Sequence, residues 1–133
     1  EATELCNVKI IPFQLYQLMH NLLGNAVKFS LPNTPVHIII KSVIASGVEL
    51  QNNKLKPQLN YCHISITDNG IGFEQEYSEK IFEVFQRLHG KEEYAGTGIG
   101  LSIVKKIVDN HSGIVTATSQ LNKGATFDIY IPI

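Results

Sequence analysis

The sequence predicts an α/β domain with elements in the order α, β, β, α, α, β, β, and three observations point to it. Leu15, Met19, Leu22, Ala26 and Phe29, flanked by Leu18 and Leu23, recur at helical spacing and make one broad apolar face. Cys62, Ile64 and Ile66 alternate with His63, Ser65 and Thr67, the period of a half-buried strand. The chain is 133 residues long and 44% hydrophobic, which suits a single domain spanning 1–133 with its own core.

Pro12 suits the first turn of the opening helix, where its missing N–H costs nothing. That helix should stop near Ser30, before Pro32 and Pro35. Val36 to Ile44 is apolar and β-branched and reads as a strand, with His37 and Lys41 as polar interruptions. Residues 46–60 are polar, contain Gly and Pro, and read as a long exposed loop. The second strand runs to Asp68, followed by a glycine turn and a short amphipathic helix from Tyr77 to Phe85. Residues 86–98 are polar and glycine-rich. Ile99 to Asn110 is the third helix, with Ile99, Ile103 and Ile107 on one face. Strands Ile114–Ser119 and Thr126–Ile133 close the chain around a turn at Asn122–Gly124.

Composition narrows the function. Eleven Lys+Arg against 12 Asp+Glu leave a net charge of −1, without the concentrated basic face that nucleic acid would call for. No apolar run approaches the roughly 20 residues that cross a bilayer, and no signal peptide opens the chain. Cys6 and Cys62 make neither a metal spacing nor a disulfide framework, so they read as reduced, small apolar fillers in a cytosolic setting. The chain opens on Glu1 rather than Met and is read as a segment of something longer.

Four features carry chemistry. Asp68 shares the parity of Cys62, Ile64 and Ile66, so its carboxylate points to the apolar side, where it must be hydrogen-bonded. It either accepts backbone N–H groups of the following turn or awaits a ligand's amine. Gly70 and Gly72 follow it and permit positive φ and close approach to the backbone. Gly96-Thr97-Gly98-Ile99-Gly100 opens onto a helix and serves either as a hinge or as a backbone cradle for phosphates. It is not a dinucleotide fingerprint, since position 101 is Leu, and no Gly-Lys-Ser/Thr makes a Walker loop. Asn21, Asn25 and Lys28 share one helical face, which is either a solvated stripe or a place for Mg²⁺ and phosphates.

Together and in this order, these features resemble the ATP-binding catalytic domain of two-component sensor histidine kinases, of the Bergerat or GHKL type. Residues 21–29 (NLLGNAVKF) resemble the N box and Asp68-Asn69-Gly70-Ile71-Gly72-Phe73 the first glycine box. Ile81-Phe82-Glu83-Val84-Phe85 resembles the F box, and Gly96-Thr97-Gly98-Ile99-Gly100-Leu101 the second glycine box. Phe85-Gln86-Arg87-Leu88-His89 with Glu93-Tyr94 is similar to the sub-group attached to PAS or phytochrome-like sensors.

The resemblance implies a two-layer α+β sandwich, with a mixed sheet of about five strands covered on one face by three helices and a mobile ATP lid over 86–98. It implies ATP and Mg²⁺ as cofactors. Asp68 would receive the adenine amine, Asn25 would hold Mg²⁺, and Lys28 and Arg87 would reach the phosphates as the catalytic cations. Asn21, Phe29, Gly70, Gly72, Phe73, Gly96, Thr97, Gly98, Ile99, Gly100 and Leu101 would complete the nucleotide site. Gyrase-like and Hsp90-like relatives carry a Glu where this chain has Asn21, so the site suits holding ATP rather than hydrolysing it. Relatives also place a Thr where inward parity here puts Ala125. None of the five His is followed by an acidic residue, so the phosphoacceptor lies on another domain. The expected partners are therefore a histidine-containing dimerisation domain and a response regulator, with no nucleic acid, no direct membrane contact, and a monomeric segment in the cytoplasm. A nucleotide-gated interaction module without phosphotransfer is the alternative.

Overall fold

Pro12 opens the first helix, α1 (Pro12–Lys28), after an extended Ile11 that offers no side-chain cap. Leu18, Leu22 and Ala26 form its buried stripe. The helix ends at Lys28, and the Phe29 N–H donates to the Asn25 carbonyl as the chain turns away. The structure, a computed structural model, describes Cys6, residues 9–83 and residues 100–133.

The four strands are β1 (Ile38–Ser46), β2 (Asn60–Asp68), β3 (Ile114–Ser119) and β4 (Ala125–Pro132). They lie in the order β1-β2-β4-β3, and every neighbouring pair is antiparallel. The expected sheet was mixed, with about five strands; among the described residues it has four and no parallel pair. Connectivity explains this. Each of β1–β2 and β3–β4 reverses through one loop, and the two hairpins meet along β2 and β4 in opposite directions.

Alternation along β2 and β4 builds the core. Cys62, Ile64 and Ile66 face the same side as Phe127, Ile129 and Ile131, and α1 and α3 (Gly100–Asn110) cover that side with Leu18, Leu22, Val104, Ile107 and Val108. The result is the expected two-layer sandwich. The stretch expected as a helix from Tyr77 to Phe85 is instead two 3-10 turns, Gln75–Tyr77 and Lys80–Phe82, as far as the described residues reach. Buried Ile81 and the edge-on contact of Phe82 with Phe127 set their position, since only a few apolar residues there need burial.

The segment expected as an exposed loop is partly structured. Ser46 caps a short helix, α2 (Gly47–Leu50), by accepting the Glu49 N–H at 3.1 Å. Beyond it, Leu55 packs with Tyr61 and Tyr130 on the other face of the sheet. Among the described residues no helix is long and apolar enough to cross a membrane.

The cysteines correct the sequence reading. Cys6 and Cys62 form a disulfide, S–S 2.07 Å, rather than standing as free thiols. Cys6 lies beside β1, where its N–H donates to Ser42 Oγ at 3.0 Å, and this brings it over Cys62. A pairing across 56 residues leaves no local spacing to read, and the argument from free thiols to a reducing setting lapses.

Ile129 is 1% exposed at the centre of β4, whereas Val43 is 55% exposed on β1. Ile129→Ala should therefore cost about 2–5 kcal/mol through lost burial and a cavity. Val43→Ala should cost no more than about 0.5 kcal/mol. Urea denaturation of both variants checks the placement of the core: the midpoint should fall for the first and barely move for the second.

Candidate functional site

The site forms where β2 ends. Asp68 is the last residue of that strand, and its parity with the core residues turns its carboxyl toward the helices. Oδ1 accepts the N–H of Gly70 at 2.9 Å and that of Ala125 at 3.3 Å. Burial pushes the Asp68 carboxyl above its ordinary range, and the two N–H donors only partly pull it back. Among the described residues Oδ2 has no hydrogen-bond partner. One oxygen anchors the turn; the other is left for something else.

The turn after Asp68 is held from both sides. The Ile71 N–H donates to the Phe29 carbonyl at 2.9 Å, which ties it to the end of α1. A Cβ on Gly70 would come within 2.6 Å of that same carbonyl, so only glycine permits the approach. On the other side the Asn122 N–H donates to the Ile71 carbonyl at 2.7 Å. Gly124 there has φ +88°, and its Cβ would collide with the Asp68 carbonyl. Asn69 fastens the chain after α1, accepting the His37 N–H at 2.9 Å and donating to the Pro35 carbonyl at 3.0 Å. Gly72 lies in the same turn with φ +62°. The Phe73 N–H then donates to Ser119 Oγ at 2.9 Å, and its ring is buried in the core.

The polar stripe of α1 lies beside its apolar one. Asn21 and Asn25 are half-buried and Lys28 is exposed. Asn21 Nδ2 donates to the Gly100 carbonyl at 3.4 Å, so the stripe meets α3 at that helix's first described residue. Among the described residues the Asn25 amide has no hydrogen-bond partner. Lys28 Nζ stands 5.4 Å from the centre of the Phe29 ring. Among the described residues nothing lies within 4 Å of a Cβ placed on Gly100, and Leu101 packs against the core.

The structure thus brings Asp68, Gly70, Gly72 and Phe29 together at one end of α1, and Asn21 with Gly100 at the start of α3. Arg87, Gly96, Thr97, Gly98 and Ile99, with Val84 and Phe85 of the F box and the expected lid, lie outside the described residues. Three contributors escaped the sequence reading. Gly124 was visible as a turn residue, but nothing in the sequence says that it passes over Asp68. The Ala125 N–H acts as a main-chain donor, and the Ser119 side-chain hydroxyl, which donates to the Gly124 carbonyl at 2.7 Å, acts from a strand distant in sequence; composition reveals neither.

Comparison with known proteins agrees with this geometry. The profile of the family described as histidine kinase-, DNA gyrase B- and HSP90-like ATPase matches residues 11–133. Cyanobacterial phytochrome A of a Nostoc species is 43% identical over 121 residues, which is 90% of this chain and 14% of the relative. The chain therefore spans about a seventh of that relative's length. The catalytic domain of histidine kinase ThkA superposes with a TM-score of 0.66 at 28% identity, covering 94% of this chain and 71% of that one. Full-length ShkA in complex with AMPPNP does so with a TM-score of 0.66 at 26% identity, covering 90% of this chain and 21% of that one.

The raised pKa of Asp68 has a definite sign in stability. Its carboxyl holds a proton at higher pH in the folded chain than in the unfolded one. The folded state binds more protons across that window, so this group makes stability fall as pH rises through it. Asp68→Asn carries no such charge. Urea midpoints taken from acid to neutral pH should show the wild type losing ground to the variant as pH rises. A wild type that gains ground instead would mean that the two N–H donors outweigh burial.

Proposed function

Because the chain belongs to the family of histidine kinase-, DNA gyrase B- and HSP90-like ATPases, we propose that it holds Mg²⁺–ATP and presents the γ-phosphoryl group to a histidine on a separate dimerisation domain. A response regulator then takes the group from that histidine. Asp68 carries the reading. A carboxylate half withdrawn from water, with Oδ1 committed to the turn and Oδ2 unpaired among the described residues, suits a ligand N–H donor such as the adenine amine.

The rest of the cluster fits the same ligand. Phe29, fixed by its carbonyl to the turn after Asp68, offers an apolar border for the base. The Asn25 amide, unpartnered among the described residues and one helical turn from Lys28, suits a cation that takes few protein ligands and completes its shell with water and phosphate oxygens. Bound there, Mg²⁺ would neutralise phosphate charge. The N–H groups opening α3 suit the phosphates, and Lys28 and Arg87 supply the positive charge. Asn21 is a neutral amide bonded to Gly100 and does not itself offer a base to activate water. Catalysis here is positioning and charge neutralisation. Such a domain works in the cytoplasm, where ATP is available.

Asp68→Asn preserves shape but replaces an ionised acceptor. Losing a charge-assisted hydrogen bond should weaken ATP binding about ten- to a hundred-fold. GTP, which offers an acceptor at the corresponding edge, should bind far more weakly than ATP to the wild type. Calorimetry checks both, and equal ATP and GTP affinities would remove the adenine assignment.

The kinase reading has its own test. The domain alone should bind ATP yet hydrolyse it slowly. Adding a cognate dimerisation domain in trans should yield acid-labile, base-stable phosphohistidine on that partner. Arg87→Ala should lower the transfer rate more than ATP affinity if its charge acts on the transferring group. Firm ATP binding with no labelled partner across several acceptor domains would point to a nucleotide-gated module instead.

A further inference from the structure

Cys62 lies at the opposite end of β2 from Asp68, about 20 Å away at strand rise. Its sulfur is fully buried, and its partner Cys6 is part-exposed on the segment that leads into α1. Between them sits the Ser42 hydroxyl, 2.7 Å from Cys6 Sγ and 3.5 Å from Cys62 Sγ. The same oxygen accepts the Cys6 N–H. Further along, the segment is held by Ile10 against the core and by the Ile11 N–H, which donates to His111 Nε2 at 3.1 Å.

We propose that the Cys6–Cys62 disulfide is a reversible redox clasp. Oxidised, it fastens the segment entering α1 to the far end of β2; reduced, it frees that segment and leaves the nucleotide cluster as it is. The inference takes one point from the proposed function, that the domain works in the cytoplasm, a compartment whose glutathione and thioredoxin keep thiols reduced. A disulfide in such a compartment is characteristically transient rather than a permanent staple.

The surroundings suit opening. Cys62 is a small apolar member of the buried cluster, paired with Ile131 of β4, so the core keeps its packing without the bond to Cys6. A thiolate left in that apolar site would ordinarily be disfavoured, and a hydroxyl within reach of both sulfurs offers it a hydrogen-bond donor. The chemistry is exchange with a dithiol. The attacking thiolate bonds to the sulfur of part-exposed Cys6, the S–S bond breaks, and Cys62 leaves with the electron pair and takes up a proton. The second thiol of the reductant then closes on the first, which releases Cys6 as a thiol. Two electrons and two protons pass from the dithiol to the protein. Any domain joined upstream would connect through this segment, so the clasp governs how freely the two could move, not how tightly nucleotide is held.

The test uses the full chain equilibrated in mixtures of oxidised and reduced dithiothreitol. Alkylation and mass measurement report the bond, and deuterium exchange and ATP calorimetry are run on each form. The bond should open in the folded protein. Exchange in the residues before Pro12 should then rise at least about ten-fold. ATP affinity should stay within about two-fold, since the sites are far apart. Cys6→Ser should behave as the reduced form in every mixture. Four results would overturn the clasp: both cysteines alkylated without reductant, a bond that opens only when the chain unfolds, exchange that ignores redox state, or ATP affinity that falls with reduction. If neither form binds ATP, the nucleotide reading fails, while alkylation and exchange still decide the clasp.

Discussion

One carboxylate holds the candidate site together. Asp68 gathers the N–H groups of Gly70 and Ala125 onto a single oxygen, and so fixes the turn after β2 against the turn before β4. The end of α1 joins them through the Phe29 carbonyl. Three segments distant in sequence are thus locked at one point. Withdrawing a carboxylate from water is unfavourable, and the raised pKa records that cost. A fold that retains such a group on structural grounds alone would gain from using both oxygens. Here only one is used among the described residues.

That junction needs backbone approaches that side chains would block. Gly70 passes the Phe29 carbonyl and Gly124 passes the Asp68 carbonyl, each closer than a Cβ allows. The glycines are therefore positional requirements of the carboxylate, not loose hinges. They also explain why α1 can divide its labour. One stripe, Leu18, Leu22 and Ala26, is consumed by the core, and this pins the helix so that the neighbouring stripe meets α3 at Asn21, with Asn25 half-buried and Lys28 exposed beyond it. Neutral amides at positions 21 and 25 keep that stripe free of negative charge, which suits the phosphate-binding role proposed for it.

Where periodicity carried the information, the sequence was readable. The parity of β2 and β4 placed Asp68 and Ala125 inward before any coordinates, and α1 and β3 fell close to their expected bounds. Short-range signals failed where the outcome depended on distant partners. The stretch near Tyr77–Phe82 has helical apolar spacing, yet burying Ile81 and Phe82 took only two 3-10 turns. The loop from Gly47 to Leu59 is polar in composition, but Leu55 finds Tyr61 and Tyr130 across the sheet. Cys6 and Cys62 carry no spacing rule, and only the path of the segment beside Ser42 joins them. The candidate residues around Asp68 stood out as residue types; Gly124, the Ser119 hydroxyl and the Ala125 N–H did not, because what they do depends on segments distant in sequence meeting at Asp68.

β2 is the member that connects these features. It is paired on both sides, by β1 and by β4, along nearly its whole length. A strand held in this way does not slide or bend locally, because shifting register by one residue would turn Cys62, Ile64 and Ile66 out of the core. Its two ends are therefore fixed in relation to each other while differing in chemistry. One end presents a carboxylate to the helix side, and the other receives the segment that leads into α1. Because α1 starts from that segment and ends at the Asp68 turn, it runs between the same two ends. The core stripe of α1 keeps its polar face in place whichever state the disulfide adopts. Rigid packing between the ends is what lets one of them change its attachment without disturbing the other.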